Sequence, residues 1–430
     1  MRARSWMKQA LWLTGASAVL LLASSDAGAA APAAPRVDTC VQCHRALPAK
    51  LGAPAAAMAN DIHAQKGLSC VNCHGGDPAS FDIKIAKSKE KGYIGRPKPA
   101  QIPALCDKCH GDLAFMRRFN PSIAVDQFKA YQTSVHGKRL AQGDVKVATC
   151  ASCHGAHGIL PAAHANSSVY APSVAKTCAR CHSDKEYMKD YKIPTNQLEN
   201  YLQSVHADLL INKRELSAPS CNDCHGNHGA FPPAVDSVSG MCGQCHVNNR
   251  DLFVKSPHKA AFEKMKVPEC VVCHSNHKVV RVSEEMIGDT RPALCVMCHP
   301  PGSQPLKVAA GMRKRIEDLK GLIQRATSEL DAAEHRGMEV SEAKFSMKEA
   351  RTTLIKVRTQ VHSLALKEVE KEAEGGTKIA KSALATALAA IEEFYARRRW
   401  VILPIILTVL MAGLLFLKLR EVEGGPRGRT

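Results

Sequence analysis

Every cysteine in this chain belongs to one repeated pentapeptide. The 430 residues contain 18 cysteines, and all of them fall in nine Cys-x-x-Cys-His motifs. Disulfide frameworks do not space every pair identically and follow each with His, and a thioredoxin-like redox site needs one such pair, not nine. Both classes are excluded. Aromatic residues make up only 5% of the chain, a thin supply of large side chains for an ordinary core.

Cys-x-x-Cys-His is the attachment signal of c-type haem. The thiols of Cys40 and Cys43, Cys70 and Cys73, Cys106 and Cys109, Cys150 and Cys153, Cys178 and Cys181, Cys221 and Cys224, Cys242 and Cys245, Cys270 and Cys273, and Cys295 and Cys298 are read as thioether donors to the haem vinyl groups. The His that closes each motif then becomes the proximal iron ligand: His44, His74, His110, His154, His182, His225, His246, His274 and His299. Zinc is the rival, with iron–sulfur behind it. Structural zinc sites gather two Cys pairs around one metal; nine is odd, and a His directly after each second Cys has no purpose there. The cofactor expected is therefore haem c, nine per chain and covalently attached. From Cys40 to His299 there are about 29 residues for each haem, too few for conventional cores, so the porphyrins themselves are expected to be the core.

Repeats organise the motifs. Tyr131-Gln-Thr-Ser-Val-His136 recurs as Tyr201-Leu-Gln-Ser-Val-His206 and as Phe253-Val-Lys-Ser-Pro-His258, with a divergent copy at Met58-Ala-Asn-Asp-Ile-His63. Each copy precedes a pair of haem motifs. The chain thus reads as a lone haem at 40–44 followed by two-haem modules over 58–110, 128–182, 198–246 and 250–299. Repeats of this size stack on their neighbours, which for haems means a continuous electron path. Three modules carry a further His three residues past the proximal one: His157, His228 and His277. One helical turn would put His154 and His157 on a similar side, so the extra His ligates a neighbouring haem or none. The distal candidates are His63, His136, His157, His206, His228, His258 and His277, with His164, which has no repeat partner, as a further one. His335 and His362 fall in the segment without motifs and are set aside. Eight candidates for nine irons leave at least one haem with Met, another ligand or an open face.

The ends of the chain suggest export and anchoring. Arg2, Arg4 and Lys8 precede an apolar run from Leu11 to Ala23, and Ala27-Gly28-Ala29 is a cleavage-type signal, so 1–29 reads as a signal peptide. After the cytochrome-type domain (36–304), residues 305–398 turn to a heptad seam. Val308, Met312, Ile316, Leu319, Ile323, Ala326, Leu330 and Ala333 form its first helix, which Gly337 closes. Ala343, Met347, Ala350, Leu354, Val357, Val361 and Leu364 form its second, and Gly375-Gly376 is expected to break the pattern before a third helix from about Lys378. Residues 400–417 carry no charge and at ~1.5 Å per residue can just cross a bilayer core. Arg397, Arg398 and Arg399 would lie outside, against the positive-inside bias, which a long exported domain overrides; Lys418, Arg420, Arg427 and Arg429 lie in a cytoplasmic tail, 418–430. The fold class expected is mainly α with much irregular loop: a haem-packed domain, a helical hairpin stalk and one C-terminal transmembrane helix, at a bacterial inner membrane with the haem domain in the periplasm.

A formal charge of +18 invites a nucleic-acid reading, but nine haems bring eighteen propionates. Between Arg36 and Gln304 the basic surplus is nine, which offsets nine ferric haems, each with one net negative charge. The basicity is therefore largely internal, pairing Lys and Arg with propionates, and no nucleic acid is expected as a partner.

The S-V-H…CxxCHGxH arrangement resembles that of bacterial multihaem c-type cytochromes with doubled CxxCH motifs, of the cytochrome c3 type, over about residues 36–300. The trailing helices and C-terminal span also resemble the octahaem hydroxylamine oxidoreductase-like group. That group's resemblance implies a tyrosine from the trailing helices at the active haem, whereas the tail tyrosine here is Tyr395, beside the apolar segment; the Lys-ligated CxxCK site of pentahaem nitrite reductases is absent. The leading expectation is an electron carrier between a polytopic quinol-oxidising membrane subunit (cytochrome b-like or similar) and periplasmic redox proteins, in anaerobic respiration. The alternative is a multihaem reductase of nitrogen or sulfur oxyanions with one open haem.

Overall fold

The structure is a computed structural model that describes residues 38–232 and 238–423. The signal segment 1–29 and the last residues of the expected cytoplasmic tail lie outside the described residues. Among the described residues all regular structure is helical and the connections are long and irregular. The chain divides into two units, one of residues 1–56 and 68–95, the other of 57–67 and 96–430.

The first unit holds the first two motifs on short helices, Thr39–Arg45 and Cys70–His74. Asp38 caps the first of these, accepting the Cys40 N–H at 3.0 Å. Thr39 is buried and ties that helix to the loop after the second motif, donating through Oγ1 to the Pro78 and Ser80 carbonyls, both at 2.9 Å. The two motifs are thus fastened to each other by backbone and hydroxyl bonds.

In the second unit, the motif-bearing segment and the tail are built on different principles. Over 96–303 helices are short, and the buried apolar residues form one small cluster among those described, Ala175, Tyr201 and Ala207. Polar anchors take over: Tyr131 and Tyr201 each donate to a backbone carbonyl just before a motif, Ala148 and Pro219, both at 2.9 Å. The tail has an ordinary core instead. Helix α1 (Gln304–Glu334), α2 (Ser341–Gln360) and α3 (Leu366–Glu423) pack around Met312, Ile316, Leu319, Leu330, Met347, Val357, Val369 and Ala380. The heptad seam read from the sequence supplies most of this core, and α3 packs along both partners.

Two expectations for the tail need correction. Gly375 and Gly376 do not break a helix: α3 starts at Leu366 and runs through them without interruption, so the tail is a three-helix bundle and not a hairpin with a separate connector. The chain reverses earlier, in a single 3-10 turn over Val361–Ser363 followed by Leu364 at φ 55°. The reason lies in the packing. A Cβ on Gly376 would meet Cβ and Cγ2 of Thr353, each at 2.9 Å, so this glycine lets α2 and α3 approach closely. Gly375 faces open space. Replacing Gly376 by Ala is therefore expected to lower stability by about 1–3 kcal/mol through overpacking. Gly375→Ala should raise it by about 0.5–1 kcal/mol, the helical cost of glycine. Thermal unfolding of the two variants checks the opposite signs.

The end of α3 is of another kind. From Trp400 to Leu417 its large apolar side chains are exposed, and this part of the helix is long and apolar enough to cross a membrane. Pro404 sits inside it without ending it.

Candidate haem sites

In three of the four modules the first motif begins with a built-in cap. Ser69, Thr149 and Ser220 stand just before Cys70, Cys150 and Cys221, each in a capping box whose second member, the residue before the second cysteine, accepts its backbone N–H: Asn72 at 2.7 Å, Ser152 at 3.0 Å and Asp223 at 2.7 Å. Such boxes satisfy the orphan N–H groups of a one-turn helix. Each of these helices stops at the motif His because the next residue is left-handed: Gly75 at φ 70°, Gly155 at 87° and Gly226 at 84°. This corrects the sequence argument about His157. It does not sit one helical turn beyond His154; the glycine turns the chain out of the helix, and the extra His leaves on a loop.

Three of the distal candidates come from helices that open with a side-chain cap. Asp61 accepts the N–H of His63 at 2.8 Å, Ser134 that of Gly137 at 2.9 Å and Ser204 that of Ala207 at 3.1 Å. These caps fix where His63, His136 and His206 point.

Imidazoles then meet in pairs. Within modules, His63 faces His110 with ring centroids 6.0 Å apart, His136 faces His182 at 6.2 Å, His206 faces His246 at 6.4 Å and His258 faces His299 at 6.0 Å. Between modules, His154 faces His228 at 6.1 Å and His225 faces His277 at 6.0 Å. Two imidazoles bonded to one iron from opposite sides bring their centroids to about 6.3 Å, given metal–nitrogen bonds of about 2.0 Å. The residues present fit bis-histidine haem at each of these places.

Tautomers agree. The Nδ1 of His44 lies 2.9 Å from the Leu51 carbonyl, that of His74 2.8 Å from Gly95 and that of His225 3.1 Å from Phe231. Carbonyls only accept, so Nδ1 carries the hydrogen and Nε2 keeps its lone pair for a metal. His63 is held the same way by the Asp61 carboxylate at 2.9 Å. Burial lowers the proton affinity of His110, His136, His154, His182, His206, His228, His258, His274 and His277, favouring the neutral ring that can ligate. His164 is different. It is exposed, and its Nδ1 accepts the Asn166 N–H at 3.1 Å, which puts the hydrogen on Nε2. Among the described residues no second imidazole faces His164 or His44.

Modules are clasped in one register. The N–H beside each distal His donates to a carbonyl two residues past the extra His of the next module: Ile62 to Ile159 at 2.8 Å, Val135 to Ala230 at 3.0 Å and Val205 to Val279 at 2.8 Å. His157, His228 and His277 hold the same position in this register. In the last module the donor is replaced by Pro257, which has no N–H to give.

The sequence reading missed His362. This residue of the tail turn, set aside because its segment carries no motif, faces His274 with ring centroids 6.1 Å apart.

The motifs are also neighbours in chain order. In the first unit Cys40 lies beside Cys70. In the second, Cys106 lies within hydrogen-bonding range of Cys150, Cys178 of Cys221, and Cys242 of Cys270. Between these tight pairs, Cys153 adjoins Cys181, Cys224 adjoins Cys242 and Cys245, and Cys273 adjoins Cys295 and Cys298. These contacts join the seven motifs of this unit in chain order, each to the next.

Two family models match the chain. One, described as Cytochrome c3, covers residues 62–183; the other, described as Cytochrome c554 and c-prime, covers residues 241–319. The chain is a multihaem c-type cytochrome. The first match spans the modules that carry His63 through His182, and the second runs from the seventh motif into α1. The cytochrome therefore carries covalent haem c and transfers electrons. No curated protein and no solved structure matches it.

Proposed function

We propose that this cytochrome is a nine-haem electron relay anchored in the bacterial inner membrane by 400–417, with its haems in the periplasm. Each of the nine Cys-x-x-Cys-His motifs holds one haem c. The observation that carries the relay is the succession of motif neighbours in chain order from Cys106 to Cys298. The facing imidazoles support bis-histidine ligation along it, with His63, His136, His206 and His258 closing the second haem of their own modules. His228 and His277 close the first haem of the module before. Bis-histidine irons hold their ligands on both faces, which suits electron transfer at low potential and leaves no place for substrate.

The bundle sets the geometry of exchange with the membrane. From Leu366 to Trp400 the unbroken helix α3 rises about 50 Å. The last motifs adjoin the start of α1 and the 361–363 turn, at the end of the bundle away from the apolar segment. With α3 upright the bundle acts as a spacer. A polytopic quinol-oxidising partner then needs a redox group of its own that reaches well above the bilayer, and periplasmic redox proteins take electrons from the line. A single span has no second helix with which to build a quinone pocket.

The test is reconstitution of the purified full-length cytochrome in vesicles with a reduced quinol analogue. The haems stay oxidised with quinol alone and are reduced at once by dithionite. Rapid reduction by quinol without a partner overturns the need for one.

The reductase reading keeps one observation in its favour, the absence of a facing imidazole at His44 among the described residues. Binding of nitrite, hydroxylamine or cyanide at a high-spin haem, lost on removing the first motif, would support it over a pure relay.

A further inference from the structure

The register of the modules gives the first haem of the last module no donor. The first haem of a module takes its second imidazole from the module that follows, His228 for His154 and His277 for His225. No module follows the last one, so His274 has no such donor in the motif region. Its clasp is missing as well, because Pro257 stands where Val135 and Val205 donate.

We propose that His362, from the α2–α3 turn, is the second axial ligand of the haem attached at Cys270 and Cys273, so that the bundle takes the place of a fifth module. The inference rests on the reading that these motifs carry haem. His362 faces His274 at 6.1 Å, inside the range of the six pairs described above. Its Nδ1 lies 2.9 Å from the Thr359 carbonyl, so Nδ1 carries the hydrogen and Nε2 is left for the iron, as in His44, His74 and His225. The side-chain amide of Asn249, three residues past His246, lies 3.3 Å from the same nitrogen; with Nδ1 protonated it is the amide oxygen, in the flipped orientation of that group, that accepts there. The turn itself is set by the bundle: Val361 and Leu364 pack on its core and flank His362, which leaves on the side of helix Val247–Lys255.

The consequence is a coupling. The tail is a folded ligand donor, and the coordination of the eighth haem reports whether the bundle is docked. Glu284, just before the last motif, strengthens this docking by pairing with Lys320 of α1 at 3.2 Å and with Arg358 of α2.

Full-length detergent-solubilised protein carrying His362→Ala tests the proposal, with His335→Ala as the control in the same bundle. His335 is exposed and faces no described imidazole. In His362→Ala the ferric high-spin resonance is expected to rise by one haem per chain, and the reduced protein to bind one more equivalent of carbon monoxide, with both quantities unchanged in His335→Ala. Added imidazole restores the low-spin signal. A His362→Ala protein with full haem content and an unchanged spin state overturns the assignment. Should that variant fail to accumulate, His362→Met carries the test: one haem gains Met–His ligation and its midpoint potential rises, and an unaltered set of potentials overturns the proposal. A wild-type protein without covalent haem would instead defeat the underlying reading, so the two failures are distinguishable.

Discussion

Replacing Glu269 by Ala is expected to destabilise the folded protein by about 3–5 kcal/mol, the usual cost of removing one partner of a buried ion pair. Glu269 is 1% exposed. One carboxylate oxygen receives the ammonium of Lys259 at 2.5 Å and the other accepts the backbone N–H of Ser239 at 2.5 Å. Burial pushes its proton affinity up, and these bonds outweigh that and hold it below the ordinary carboxylate value. The residue joins three sites. It directly precedes Cys270, Lys259 follows His258, and Ser239 lies in the helix Val238–Cys242 that opens the seventh motif. Loss of the carboxylate thus leaves Lys259 without its buried partner and loosens motifs seven, eight and nine together. Glu269→Gln keeps the shape and one acceptor and should cost less. Chemical denaturation followed by haem absorbance measures both, and an Ala variant within 0.5 kcal/mol of wild type, the range of ordinary surface changes, would remove this anchor from the account.

Cutting the line has the largest functional effect. The sixth motif sits between Cys178 on one side and Cys242 and Cys245 on the other. A Cys221→Ala, Cys224→Ala double variant should lose one haem and separate motifs three to five from motifs seven to nine. Pulse reduction of wild-type protein is expected to equilibrate over all haems in one rapid phase. In the variant the haems on the far side should fill only in a second phase, slower by orders of magnitude. A single unaltered phase would mean that electrons bypass the line. The site lies between the two family-model matches, so this measurement also tests whether the stretch that neither covers is part of the same relay.

How much of this was legible beforehand differs by element. Covalent attachment dictates its own spacing, so the nine motifs stand in the sequence without any knowledge of the fold. The seam of α1 was equally plain, because Met312, Ile316, Leu319 and Leu330 repeat at heptad intervals, and all four are buried. Gly376 misled, since a glycine that ends a helix and one that lets two helices touch look alike in sequence; only the 2.9 Å approach of Thr353 tells them apart. The argument from His154 and His157 assumed one continuous helical turn, which Gly155 interrupts by changing the direction of the chain between them. His362 was missed as a single His without a repeat in a segment with no motif. A signal did exist: the last module has Pro257 in place of a clasp donor and no successor, so its first motif lacks the donor that a following module supplies elsewhere.

Intact mass of the mature protein under denaturing conditions tests the central claim most directly. The account predicts a polypeptide starting near Ala30 that carries nine haem increments and no thiol open to alkylation. A mass with fewer increments and the corresponding cysteines free, or metal released as zinc in place of haem iron, would contradict it.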